Sequence, residues 1–134
     1  MKKIKKYKIN SYSKSSGTII TMGFNKNFPI KVKRIFFIHG KKNKIRGDHA
    51  HKKCSQFFYS VSGKFQLDIQ TPNKKRKIII NHSSKMGILV PPKYWVSVKI
   101  LDTKSSLMVI CDQLYNANDY IENFNEYKKY LRKK

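Results

Sequence analysis

The sequence predicts an all-β domain, a sandwich or barrel of short strands that ends in one helix. Apolar residues make up 40% of the 134 residues, which is enough to build a core at this length. About eight or nine segments rich in β-branched and aromatic residues recur between turn residues, a rhythm typical of sandwiches and barrels. Near the end the apolar residues change to helical spacing. We therefore expect a single domain over residues 1–134.

The strands follow from β-branched runs and from alternation of apolar and polar residues. Ser62-Gly63 separates two such segments as a hairpin turn. In the second of these segments, Phe65, Leu67 and Ile69 alternate with polar residues, which indicates one buried face. The expected strands cover residues 18–22, 31–38, 56–61, 64–69, 77–81, 87–90, 95–101 and 106–111.

The C-terminal stretch predicts a helix over about residues 117–132. Ile121, Phe124, Tyr127 and Leu131 recur at helical spacing. Asn116 to Asp119 offer N-terminal caps, and the lysines and arginine of the last turns suit the negative end of a helix dipole.

The net charge of +23 suggests an anionic partner. Only four of the 30 cations are arginine, the residue that base edges and phosphates favour, so we do not expect nucleic acid as the partner. A small anionic substrate would be attracted by the same field. The sequence has no apolar run long enough for a membrane helix, no secretory signal and only two cysteines, so we expect a cytoplasmic protein without membrane association.

Arg46-Gly47-Asp48-His49-Ala50-His51 is the segment most informative about chemistry. If it is a strand, His49 and His51 point to one face and Asp48 to the other. Three interpretations are open for two such histidines: a metal site, simple packing or solvation, and acid–base catalysis.

Metal-binding cupin barrels use a His-x-His pair, then Glu, then Gly, with a further His from a second motif. Here Gln56 takes the Glu position and Gly63 follows it, but no histidine follows Pro91-Pro92. Two imidazoles and a neutral amide make a weak ligand set. We therefore expect no metal and no other cofactor.

Acid–base catalysis fits the pair best. Imidazole titrates near physiological pH, so it can take a proton and return it. Two imidazoles on one face can serve two neighbouring carbons of one substrate, as the movement of a carbonyl group between those carbons requires. Arg46 beside Gly47, or a nearby hydroxyl group, is expected to stabilise the oxyanion that develops.

The segment around the histidines resembles a known family, the dTDP-4-dehydro-6-deoxyglucose 3,4-ketoisomerases. The similarity extends from about Gly17 to Leu131 and includes Arg34 to Ile38, Arg46-Gly47-x-His49-Ala50-His51, Gln56, Gly63, Pro92 to Trp95, and Tyr115-x-x-x-Asp119-Tyr120-Ile121. The resemblance implies a cupin-type, jelly-roll barrel and a homodimer with exchanged N-terminal strands. It implies a metal-independent shift of the keto group of a dTDP-linked 4-keto-6-deoxy sugar from C4 to C3, for 3-amino-3,6-dideoxy sugars of lipopolysaccharide O-antigen and other surface glycans.

Under this resemblance His49 and His51 are the acid–base pair. The expected substrate-binding residues are Arg46, Gln56, Arg34, Tyr115 and Trp95, although the alternation of Trp95 with Ser97 also suits a core position.

The chain departs from the family at Phe37, Ser16 and Val96, where polar or larger side chains are frequent in the family. These departures bear on the face of protonation, and we expect a galacto product over a gluco product. A related cupin-type 3/5-epimerase and a basic barrel that binds nucleic acid remain as alternatives. His39, His82, Cys54 and Cys111 carry no expected role.

Overall fold

The computed structural model describes residues 1–133, in which two five-stranded antiparallel sheets face each other. Sheet I has the strand order β1-β9-β6-β11-β4, and sheet II has the order β12-β5-β10-β7-β8. The strands are β1 (Lys5–Lys8), β2 (Asn10–Lys14), β3 (Gly17–Thr21), β4 (Arg34–Gly40), β5 (Ile45–His51), β6 (Gln56–Ser62), β7 (Lys64–Gln70), β8 (Lys75–Asn81), β9 (Met86–Val90), β10 (Trp95–Ile100), β11 (Ser105–Cys111) and β12 (Tyr120–Ile121), and the helix is α1 (Phe124–Arg132).

The main core lies between the two sheets. Alternate residues of β7 point inward, and Phe65 and Leu67 are fully buried there against β6 and β11 residues such as Phe58 and Val109. Burying a side chain of this size contributes ~1.5–3 kcal/mol. The predicted all-β, jelly-roll type of fold is confirmed by this arrangement of two facing antiparallel sheets.

The predicted strand over residues 31–38 begins too early, because β4 starts only at Arg34. Ile30 and Val32 instead pack on the outer face of sheet I around the buried Phe57 and Ile110. Strands β1 and β2 were not predicted, because their lysine-rich and serine-rich sequences lack a clear apolar face.

The predicted helix over 117–132 is too long at its start. Ala117–Asp119 form a short 3-10 turn, and Tyr120 and Ile121 pair with His51 and Ala50 of β5. The helix begins only after Asn123, whose side chain accepts a hydrogen bond from the backbone N–H of Glu126.

Helix α1 covers a small second core on the outside of sheet II. Tyr127 is fully buried beside Trp95, Ala50 and Ile121, and its hydroxyl donates to the carbonyl oxygen of Lys93 at 2.7 Å. Burial raises the pKa of Tyr127 to about 12. Among the described residues no helix is long and apolar enough to span a membrane.

Strands β2 and β3 form a separate ribbon that pairs only with itself within the described chain. Tyr12, Ile19 and Phe24, which lie on or next to the ribbon, are at least half exposed. Phe37 on the edge strand β4 is similarly exposed.

Candidate active site

A bulge in β5 places the motif. The pairing between β10 and β5 shifts by one residue, so that Val98 faces Arg46, Ser97 faces Gly47 and Val96 faces His49. Gly47 has a φ of 89°, and a Cβ atom there would lie 2.9 Å from the carbonyl oxygen of Val96, so glycine is required. If residues 46–49 were all regular strand, the three-residue offset would point Arg46 and His49 to opposite faces. The bulge brings both to the inner face.

A cavity of ≈ 480 Å³ lies between β4, the edge strand of sheet I, and β5, which is next to the short edge strand β12 of sheet II. This volume lies within the range of small-molecule sites. Its wall combines apolar side chains with polar groups from β4, β5, β6 and β12. The lining residues are Phe36, Phe37, Ile38, His39, Arg46, Gly47, His49, Gln56, Phe58, Val96, Val98 and Tyr120.

His49 stands on the wall of this cavity. It is half-buried, and its ring centroid lies 5.1 Å from that of His51. Burial, with the neighbouring ring of His51 adding to the effect, lowers the pKa of His49 to about 4. The imidazole is therefore neutral at physiological pH and available as a base.

His51 lies deeper and is held by a carboxylate. Its Nδ1 is 2.8 Å from Oδ2 of Asp119, and the same carboxylate accepts hydrogen bonds from the backbone N–H groups of Lys53 and Cys54. Burial lowers the pKa of His51, and the Asp119 carboxylate opposes that shift without cancelling it. Burial also opposes ionisation of Asp119, but its hydrogen bonds outweigh this and hold its pKa below the usual range.

This pairing determines the tautomer of His51. An ionised Asp119 accepts a hydrogen bond from Nδ1–H, so the neutral ring carries its lone pair on Nε2. Nε2 is buried and has no hydrogen-bond partner among the described residues. A buried acceptor of this kind is expected to serve a substrate group.

Arg34 and Gln56 are organised around the Cys111 thiol. The Arg34 guanidinium donates to Sγ of Cys111 at 3.6 Å, and the Gln56 amide donates to the same atom at 3.9 Å. A hydrogen bond from the Cys54 thiol lowers the pKa of Cys111 to about 7 and raises the pKa of Cys54 itself. The sequence showed no neighbour that would tune these thiols, because all of these contacts are long-range.

A metal could in principle be held by His51, Cys54 and Asp119, whose donor atoms lie within 4.8 Å of one another. The set fits a metal poorly. Nδ1 of His51 is already bonded to Asp119, and the raised pKa of Cys54 keeps its thiol protonated. The absence of a metal requirement stays a prediction.

The structure brings some of the expected substrate-binding residues together and not others. Arg46 and Gln56 line the cavity with His49. Arg34 lies behind the wall, with its guanidinium over the rings of Phe36 and Tyr115 at 5.3 Å and 5.8 Å. Tyr115 is 67% exposed and lines a neighbouring cleft of ≈ 280 Å³ with Lys33 and Lys53.

Trp95 lies outside the cavity wall. Its ring packs on Phe124 and Tyr127 under helix α1, with centroid distances of 5.2 Å and 5.6 Å. Its direction follows from the pairing with Ala50, which points away from the cavity. The structure therefore gives Trp95 a packing role in place of the expected contact with substrate.

Asp48 is exposed, as expected, and its carboxylate accepts a hydrogen bond from the Ser97 hydroxyl. His39 is exposed too, but it lies on β4 and lines the cavity instead of sitting in a loop.

Sequence reasoning placed Asp119 among the helix caps and left Tyr120 open between a core or dimer contact and a contact with ligand. Asp119 orients His51, and Tyr120 lines the cavity with its ring 5.1 Å from His49 and 4.3 Å from His51. The signal for both residues was the family-like Asp119-Tyr120-Ile121 segment, but we expected these residues to lie in the C-terminal helix and not beside the histidines.

Comparisons with known proteins agree on one family. A family model described as FdtA: WxcM-like, C-terminal matches residues 2–132. A TDP-4-oxo-6-deoxy-alpha-D-glucose-3,4-oxoisomerase from Aneurinibacillus thermoaerophilus is 30% identical over 120 residues, which cover 89% of this chain and 86% of the relative.

Solved structures show the same fold over nearly the whole chain. A mutant of the 3,4-ketoisomerase QdtA from Thermoanaerobacterium thermosaccharolyticum, in complex with TDP-4-keto-6-deoxyglucose, superposes with a TM-score of 0.90 at 22% identity and covers 98% of this chain and 95% of that one. The TDP-quinovose 3,4-ketoisomerase WlaRB from Campylobacter jejuni gives a TM-score of 0.86 at 26% identity, with 96% and 99% covered.

Proposed function

The chain belongs to the FdtA family, and on that basis we propose that it is a TDP-sugar 3,4-ketoisomerase whose proton transfers are performed by His49 and His51. The substrate is a dTDP-linked 4-keto-6-deoxyglucose, and the product is the corresponding 3-keto sugar. The observation that carries the assignment of residues is the pair of imidazoles, 5.1 Å apart, of which His49 lines a sugar-sized cavity and His51 lies deeper behind it.

His49 is the base for the carbon-bound proton. It lines the cavity and is neutral at physiological pH, since its pKa is about 4. It takes the proton from C3 while the C4 carbonyl oxygen gains a proton, and a 3,4-enediol forms. The resulting imidazolium then returns a proton to C4, and the O3–H proton is lost to give the ketone at C3. No proton is gained or lost over the complete cycle.

His51 handles an oxygen-bound proton. Asp119 fixes its tautomer so that Nε2 accepts, and this buried atom has no other partner among the described residues. We assign Nε2 to the O3–H group, which must lose its proton in the second half of the reaction.

Arg46 and Gln56 bind substrate oxygens at the cavity wall. The bulge at Gly47 directs Arg46 toward the same side as His49, where a guanidinium can contact a phosphate or a sugar oxygen. The overall charge of +23 attracts a diphosphate-linked sugar.

The reaction is tested by NMR. Purified protein is incubated with dTDP-4-keto-6-deoxyglucose in deuterium oxide, and the expected result is a 3-keto sugar with deuterium at C4. Formation of the 3-keto product at no more than the spontaneous rate would refute the activity. Deuterium at C5 would identify an epimerase instead. In a parallel incubation in ordinary water, the coupling between H4 and H5 distinguishes the galacto product, which we expect, from the gluco product.

We further propose that the protein is a homodimer in which the β2–β3 ribbon of each protomer packs on the other, as exchanged N-terminal strands. The ribbon pairs only with itself, and Tyr12 and Ile19 on it are 63% and 67% exposed. An isolated two-stranded ribbon is at best marginally stable in water. Edge strand β4 offers both free backbone groups and the exposed Phe37.

Sedimentation equilibrium tests this assembly. We expect a dimer for the natural chain and a monomer for the double variant Tyr12→Glu, Ile19→Glu. The control is Ile79→Glu, which changes an exposed isoleucine on β8 at the other edge of the molecule and should leave a dimer. A monomeric natural chain, or a dimeric double variant, would contradict the proposal.

A further inference from the structure

The ketoisomerase reaction needs an acid at the substrate's C4 oxygen, and Tyr120 is the residue placed to provide it. When His49 takes the C3 proton, negative charge develops on that oxygen unless a donor meets it. His49 is neutral and acts as the base, and His51 presents its unprotonated Nε2. Neither imidazole is therefore the acid in this step.

Among the described residues that line the cavity, Tyr120 alone carries a hydroxyl group. Most of the other lining side chains are apolar, including Phe37 and Val96 on opposite walls. Arg46 and Gln56 can donate hydrogen bonds but do not release a proton at physiological pH. Besides the exposed imidazole of His39 on β4, the phenol is the one acid of suitable type in this inventory that the mechanism has not yet used.

The sheet holds Tyr120 against both histidines. Strand β12 pairs with β5 so that Tyr120 lies opposite His51, and its ring centroid is 4.3 Å from that of His51 and 5.1 Å from that of His49. Asp119, the residue before Tyr120, is itself anchored by the three hydrogen bonds of its carboxylate. The phenol is thus fixed beside the two groups that handle the other protons.

Arg34 supports the phenol oxygen from behind. Burial alone would lower the pKa of the Arg34 guanidinium, but its hydrogen bond to Tyr120 raises it, and the guanidinium stays charged. A guanidinium that donates to a phenol oxygen stabilises the phenolate left after proton transfer. The side chain is itself held by the Gln113 carbonyl oxygen at 3.4 Å and by Cys111.

We propose that Tyr120 is the general acid of the isomerisation, with Arg34 as its positioning residue. In the first half, His49 takes the C3 proton, the C–H electron pair forms the C3–C4 double bond, and the carbonyl π pair takes the proton of Tyr120 Oη. This leaves an enediol, an imidazolium and a phenolate. In the second half, the O3–H proton passes through Nε2 of His51 to the phenolate, and the imidazolium protonates C4. This inference rests on the proposed ketoisomerase function.

The test is Tyr120→Phe, which removes one oxygen atom. We expect kcat to fall by ~10²–10³-fold, within the range of general acid catalysis, with KM for the sugar nucleotide and the melting temperature unchanged. Tyr94→Phe is the matched control: it removes a tyrosine hydroxyl that bonds the Lys2 carbonyl oxygen at 2.7 Å, outside the cavity. It should retain full turnover.

A second measurement separates an acid from a structural phenol. With 3,5-difluorotyrosine at position 120, the basic limb of the kcat profile should move toward neutral pH, because fluorine substituents make a phenol more acidic. If the natural chain turns over substrate and Tyr120→Phe keeps its kcat, the role of Tyr120 is refuted while the ketoisomerase function stands. A basic limb that does not move has the same meaning. A natural chain without turnover refutes the ketoisomerase function together with this inference.

Discussion

His49 and His51 lie two residues apart on one strand, yet the structure surrounds them differently. His49 is half-buried on the cavity wall, and its pKa is lowered to about 4. His51 is 5% exposed and bonded at Nδ1 to a carboxylate that two backbone N–H groups also hold. Burial without a carboxylate partner leaves the imidazole of His49 neutral, whereas the carboxylate beside His51 also fixes the tautomer of its ring. One strand thereby supplies two different proton-handling groups.

The largest expected effect comes from removing the cavity-side imidazole. His49→Asn should lower kcat by ~10²–10⁴-fold while dTDP binding is retained. The free energy of unfolding should stay close to that of the natural chain, because no carboxylate loses its partner. Steady-state kinetics and isothermal titration with dTDP measure the two effects. Full turnover in this variant would remove His49 from the mechanism.

A smaller effect is expected from releasing the deeper imidazole. Asp119→Asn leaves the shape intact but removes the charge that selects the His51 tautomer, so kcat should fall by about 10²-fold, since such a carboxylate contributes up to ~10⁴-fold. Unlike His49→Asn, this variant should also lower the free energy of unfolding, by ~1–3 kcal/mol, because buried donors lose a charged acceptor.

Urea denaturation compares the two variants directly. Equal losses of stability in His49→Asn and Asp119→Asn would show that the two histidines are held in the same way. A useful control is Asp102→Asn, which changes an exposed carboxylate in the turn before β11 and should affect neither kcat nor stability.

The smallest effect is a pH dependence of stability. An unfolded histidine protonates near pH 6.5, whereas folded His49 stays neutral until about pH 4. In that window the unfolded state binds more protons, so the free energy of unfolding falls as pH falls from 6.5 to 4. His49→Asn should show a shallower fall than the natural chain over this range, measured by denaturant midpoints at several pH values. Identical slopes would contradict the lowered pKa.

Local pattern predicts some of this architecture well. Alternation in β7 and the Ser62-Gly63 turn identify a buried hairpin, and the structure has both strands there. The two-residue spacing of His49 and His51 suffices to place their rings side by side, 5.1 Å apart. These features depend on neighbours in sequence, which is why they are visible without coordinates.

Features that depend on distant residues are not visible in this way. Asp119 looks like part of a helix start, and only its contact with His51, 68 residues away, gives it a different role. Trp95 looks like a site residue because it follows a family-like proline, yet its pairing opposite Ala50 turns it into the second core. The position of Arg46 depends on a shift in the pairing of β5 with β10, which the alternation of apolar and polar residues in the sequence does not reveal.

The bulge at Gly47 has a consequence for how such sites arise. If all four residues from Arg46 to His49 were regular strand, Arg46 would face outward, and the bulge turns it inward beside His49. A chain one residue shorter would have Arg46 and His49 two positions apart, again on one face, so the bulge absorbs a single-codon insertion without removing the cation from the cavity. Deleting Asp48 from the present chain offers the reverse step, which protein engineers can use to straighten the strand while the cation stays at the cavity.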